Sequence, residues 1–167
     1  PRAVAASPPA PLPSVSVDHS VGAWNNVLIA YFPDRVTVAA LAAVHDANLA
    51  LRASYPAGTT TLSILRAGMP MPRPDARAFA AKIGREATTH LRGECIIING
   101  HPLWARTARA VLYSIELVVT PLHPRAVFES VEQAYPWALG KAGHLLSETP
   151  ALHHATSAVI AANHSLR

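Results

Sequence analysis

Gly93 to Trp104 reads GECIIINGHPLW. Cys95 to Ile98 is an unbroken apolar run, too short for a helix and rich in β-branched residues. Such a run reads as a strand buried on both faces. Asn99-Gly100 supplies turn chemistry, and Pro102 suits the first turn of a helix. A doubly buried strand that hands over to a helix is the repeating unit of a parallel α/β sheet. The corner beyond its carboxyl end is where such sheets gather ligands and partners.

Outward from that corner, the pattern repeats in both directions. The helix from Pro102 places Trp104, Ala108, Val111, Leu112 and Ile115 inward, and Arg106, Arg109, Tyr113 and Glu116 on an outer stripe. Arg125 to Phe128, RAVF, predicts a short strand, and Ser130 caps the helix SVEQAYPWAL. Upstream, the spacing predicts a helix from Asp75 to about Leu91. Phe79, Ile83, Ala87 and Leu91 form its apolar face and Arg77, Lys82 and Arg85 its basic one. Thr60 to Leu65 predicts a strand, preceded by a helix from Thr37 to about Tyr55. Val27 to Phe32, VLIAYF, predicts another buried strand. Ser14 to His19 alternates Val15 and Val17 with polar residues, the period of a half-buried strand, and Gly22 with Asn25-Asn26 supplies the intervening turn. The expectation is a mixed five-stranded α/β sheet in the order ββαβαβαβα.

Composition bounds the class. The chain has 167 residues, 50% hydrophobic and 14% charged, enough for one domain with a core. Its apolar runs fall short of the roughly 20 residues of a membrane helix, so no membrane span is expected. Net charge is +4, with the 14 basic residues dispersed, which argues against a nucleic-acid partner. The single cysteine, Cys95, excludes an internal disulfide and fits a reducing cytoplasm. Arg2 is followed by no continuous apolar core, so no secretory signal is expected. Residues 1–13, with Pro8, Pro9, Pro11 and Pro13 close together, read as a disordered linker or tail. A single domain is expected over 14–142. Residues 143–167 read as a weakly structured tail with one weak helix around Ala155 to Ala162.

The element order, together with RAVFESVEQAYPWAL (Arg125 to Leu139) and its "x-F-x-S-x-E-x-A" end motif, resembles the STAS domain. That is the fold of bacterial anti-sigma-factor antagonists and of the cytoplasmic tails of anion transporters. The resemblance implies a regulatory, protein-binding module. It also implies a phosphorylatable Ser or Thr after the strand of the opening quotation. Here the matching residues are Asn99-Gly100-His101-Pro102-Leu103-Trp104, with no hydroxyl, and Thr107 lies a turn inside the helix. This chain therefore departs from the phosphorylation switch.

Three functions are open at this stage. The first is a non-enzymatic module docking a protein partner through Asn99, Gly100, His101, Trp104, Arg106 and Arg109. The second is a small-molecule or lipid-binding domain with a pocket between the sheet and the last two helices. The third is an enzyme with His101 as acid–base group, although no phosphate loop, nucleophile elbow or zinc signature is present. No catalytic residue, cofactor or metal is assigned. His144, His153, His154 and His164 are not read as a metal site, because they lie in a weakly structured tail where no acidic or cysteine partner is expected close to them. The exposed edge of the opening hairpin is a candidate homodimer surface.

Overall fold

The computed structural model describes residues 14–86, 90–118 and 123–166, excepting the side chains of 114–118. The expected linker, residues 1–13, lies outside the described residues, as do the side chains of Ile115 and Glu116. Among the described residues are six strands and five helices. They are β1 (Ser14–Ser16), β2 (His19–Trp24), β3 (Val27–Phe32), α1 (Val38–Ser54), β4 (Thr59–Leu65) and α2 (Pro74–Glu86). There follow β5 (Leu91–Ile98), α3 (Pro102–Val118), β6 (Arg125–Phe128), α4 (Val131–Ala142) and α5 (Thr149–His164).

The strands lie in sequence order in one sheet. β1, β2 and β3 pair antiparallel, whereas β3 to β6 are parallel. The mixed α/β class is as expected, with one strand more than the five anticipated. The extra strand is β2: Gly22 sits inside it, paired with Ile29, and the two-residue turn is made by Asn25-Asn26, with Asn25 at φ 49°. Val15 and Val17 were expected to face the core, yet they are 37% and 64% exposed. β1 is an edge strand, and its inward neighbours are Ser14 and Ser16.

Alternation along the central strands feeds two apolar layers. Val27, Ile29, Leu62, Ile64, Cys95 and Ile97 pack with Tyr135, Leu139, Leu152 and Val159 of α4 and α5. On the opposite face, Leu28, Ala30 and Phe32 meet Ala40, Val44 and Ala47 of α1, and Ile96 and Ile98 meet Ala105 and Ala108 of α3. The CIII run is thus buried on both sides, and burial pushes the Cys95 thiol up to about 12, with the nearby Glu94 carboxylate adding to the shift.

Two boundaries differ from expectation. Leu91 opens β5 and is not the last residue of α2, which is described as helix only to Glu86. The tail beyond 142 carries a 16-residue helix, α5, whose Leu152 and Val159 enter the main core. Gly143 ends α4 in the left-handed conformation at φ 84°, and the backbone turns back so that α5 lies over β2 and β3. Asn163 then donates from Nδ2 to the Ser16 carbonyl at 2.6 Å, and Ser20 donates to the Val159 carbonyl at 2.7 Å. No described helix is long and apolar enough to cross a membrane.

Candidate functional site

The corner Asn99 to Trp104 forms the expected strand-to-helix junction. Gly100 adopts φ 142°, and a Cβ there would lie 2.9 Å from Ala67 Cβ and 3.1 Å from Trp104 Cε3. Both the backbone angle and the close approach require glycine. Gly100→Ala is expected to cost about 1–3 kcal/mol, read as a lowered midpoint in urea unfolding. Asn99, Gly100 and His101 are exposed, and His101 Nδ1 accepts from the Leu103 backbone N–H at 3.4 Å. No carboxylate among the described residues is hydrogen-bonded to His101, so an acid–base role for it gains no partner.

Trp104 is half-buried. Its indole N–H donates to the Met69 carbonyl at 2.8 Å, which turns the ring inward under α3. Arg109 pairs with Glu129 at 3.2 Å, while Arg106 is exposed. The six residues proposed from sequence therefore divide. Trp104 belongs to the interior, and Arg109 is engaged across the surface with the segment before α4.

The interior that Trp104 faces is a cavity of about 180 Å³. It exists because α2 packs against α1 and α3 and stands off the sheet. Small residues leave the gap open: Ala76, Ala80 and Gly84 on α2, Ala108 on α3, and Thr61 and Ser63 on the strand below. Met69, Met71, Trp104, Ile96, Val111 and Leu112 supply apolar walls. Of the two helices expected to flank a pocket, the one from Pro102 (α3) lines this cavity through Trp104, Ala108, Val111 and Leu112, whereas the one from Ser130 (α4) packs on the other face of the sheet. The space beneath α4 and α5 is filled by Tyr135, Leu139, Leu152 and Val159, each at most 2% exposed.

One end of the cavity is polar. Glu94 lies one residue before Cys95, so alternation in β5 turns it to the cavity side while Cys95 faces α4. Arg125, opening β6, is registered directly beside Glu94. It grips Glu94 Oε2 from both Nη2 and Nε, at 2.6 and 2.7 Å, and His123 Nε2 donates to the same oxygen at 3.4 Å. Burial raises the Glu94 carboxyl, but the His123 hydrogen bond and the Arg125 charge outweigh it and hold the group below its ordinary range.

Two residues lining this cavity each carry a buried atom with no hydrogen-bond partner: Arg77 Nε and His123 Nδ1. Arg77 was expected on the outer basic face of its helix. It instead shares a stripe with Ala80 and Gly84, at spacings of three and seven, and lines the cavity. The signal available in the sequence was that run of small residues, which gives a long side chain room to fold inward.

The opening hairpin holds a second polar constellation. The Asp18 carboxylate accepts from His19 Nδ1 at 2.8 Å and from the Thr37 hydroxyl at 2.6 Å. Because Nδ1 donates, Nε2 is left to accept, and Ser14 Oγ lies 2.9 Å from it. Burial works against the Asp18 charge, yet the Thr37 and His19 hydrogen bonds outweigh it and hold the carboxyl below its usual range. Asp18-His19 is thus an adjacent acid–histidine pair that sequence reading did not single out. Thr37 also caps α1 by accepting from the Ala40 N–H at 3.0 Å, so the chain ties the hairpin to the start of that helix. The shallow groove beside Asp18 and His19 is lined by Ser16, Asp34 and Arg35 and not by Ser14.

The tail histidines serve as packing groups. His144 donates from Nε2 to Asn26 Oδ1 at 2.8 Å and lies 4.8 Å from the Trp24 ring, and, contrary to expectation, it has an acidic neighbour, with Glu148 Oε2 3.4 Å from its Nδ1 four residues on. His164 and His153 meet Tyr31 and Tyr135 edge-on at 6.2 and 6.1 Å. Among the described residues, no group of three or more His, Cys, Asp or Glu side chains could hold a metal ion. No protein-family model, curated protein or solved structure matches the chain.

Proposed function

We propose that the protein is a ligand-binding module that takes a small, largely apolar molecule between α2 and the sheet. The observation that carries this reading is an apolar cavity lined by two residues with a buried, unpartnered polar atom each, Arg77 Nε and His123 Nδ1. Buried polar atoms are ordinarily satisfied, and an unsatisfied one costs about 1–3 kcal/mol. A pocket with apolar walls and a few convergent polar groups is the usual form of a small-molecule site. The element order supports a STAS-like regulatory module, and the lack of a hydroxyl at Asn99 to His101 favours a bound ligand over phosphate as its signal. Docking of a protein on the α3 corner gains less support, because Trp104 is directed inward and Arg109 is already paired.

Size narrows the ligand. A cavity of roughly 150 Å³ accommodates benzene, so the 180 Å³ here suits a single ring or a short branched chain. A long-chain lipid does not fit. The chain has only two methionines, Met69 and Met71, and both line the cavity. Protein carrying ¹³C-methyl methionine therefore reports on this space alone. Titration with toluene or benzoate should move both methyl resonances. Ala80→Leu, which fills the space under α2, should abolish the response while leaving the fold intact by circular dichroism. Unmoved methyl resonances with every single-ring probe would end the ligand reading.

A further inference from the structure

We infer that the ligand is a small carboxylic acid, its apolar body against Met69, Met71 and Trp104 and its carboxylate on Arg77. This rests on the ligand reading above and deepens it. Charge and hydrogen bonding along the cavity wall point to it.

Glu94 is already matched there. Arg125 holds its Oε2 through two nitrogens, and the Nε2 of His123 donates to the same atom. Arg77 then brings a second guanidinium to the same cavity, with its buried Nε–H unpartnered. A guanidinium stays charged and cannot shed its proton to escape that position. A neutral apolar guest would leave the N–H unsatisfied and the charge uncompensated. A cationic guest would be repelled by the Arg77 guanidinium. A carboxylate supplies both the acceptor and the balancing charge, in the planar geometry that guanidinium matches best.

His123 adds a second anchor. Its Nε2 faces a carboxylate and so carries the proton. Its Nδ1 therefore accepts in the neutral ring and donates in the charged one. A hydroxyl on the ligand satisfies either form, since it both donates and accepts. The space left after the head group holds about one ring, which points to a benzoate-sized acid.

The test compares isosteric single-ring probes on the intact chain: benzoate, toluene and benzamidine, followed through the Met69 and Met71 methyl resonances. Benzoate is expected to bind about 10-fold or more tighter than toluene, the yield of a hydrogen bond to a charged group. Benzamidine should bind weakest. Arg77→Gln should reduce the benzoate preference to within about 3-fold of toluene, and Arg77→Lys should retain part of it. Circular dichroism and the unliganded methyl positions check that each variant folds. Equal binding of toluene and benzoate, or a preference that survives Arg77→Gln, would overturn the carboxylate assignment while leaving the cavity as a ligand site. Failure of all three probes would instead remove the ligand reading itself.

Discussion

Glu94→Ala is expected to destabilise the protein by about 3–5 kcal/mol, a large share of the 5–15 kcal/mol by which domains are ordinarily stable. The pair it breaks is mostly buried: the Glu94 and Arg125 side chains are 20% and 16% exposed, and His123 is 2% exposed. Removing the carboxylate takes away the charge that the Arg125 guanidinium and His123 both contact, in a mostly buried setting. Solvent screening there is weak, so the loss exceeds that of a surface ion pair such as Arg109–Glu129. Glu94→Gln, which keeps the shape and one acceptor, should cost less.

The same group fixes an acid limb. The folded-state pKa of Glu94 is lowered, so its contribution is fully present above the unfolded-state value and is lost as pH falls through the folded one. Stability of the natural chain should therefore decline below about pH 4.5. Urea unfolding at pH 7 and at pH 4 measures this directly. The variant Glu94→Gln should show a shallower decline. An equal pH dependence in both proteins would place the acid sensitivity elsewhere, with Asp18 the next candidate.

Leu152→Ala is expected to cost about 3–5 kcal/mol through lost burial and the cavity left behind. Leu152 is fully buried among the β3, β4 and α4 side chains of the main core. For a chain of this size the melting midpoint should fall on the order of 10 °C. A helix lying loosely on the surface would give a shift of about 1 °C, so the measurement decides whether α5 is integral to the fold. A matching substitution at exposed Leu145, 71% accessible, should leave the midpoint nearly unchanged and serves as the control.

Much of the architecture was legible because it rests on local patterns. VLIAYF and CIII announced strands buried on both sides, and Thr37 and Ser130 announced helix starts, which their side-chain hydrogen bonds to Ala40 and Gln133 make concrete. β2 was less legible because HSVGAW contains glycine and polar residues. Its strand state comes from pairing with both neighbours, a long-range effect. α5 was legible only as one weak helix around Ala155 to Ala162, because its apolar residues are mostly alanine, with histidine and serine between. The helix is fixed by what Leu152, Val159 and Asn163 meet on the sheet.

The candidate site followed the same division. Sequence drew attention to the β5–α3 junction, and Trp104 does lie at the edge of the cavity. The polar end could not be read in this way. Glu94, His123 and Arg125 are spread over 32 residues and converge only because β5 and β6 pair in parallel register. Arg77 looked like an ordinary solvated cation on a basic helix face.

By itself, the sequence determined the mixed sheet, the alternation of strand and helix, and the glycine-bearing corner after β5. These follow from apolar periodicity, capping and backbone restrictions, all of which act over a few residues. Only the tertiary structure decided that α2 stands away from the sheet and that Arg77 lines the cavity together with Glu94 and Arg125. The physical reason is that a cavity is a property of facing surfaces. Small residues on separate elements leave a void only when those elements are brought together.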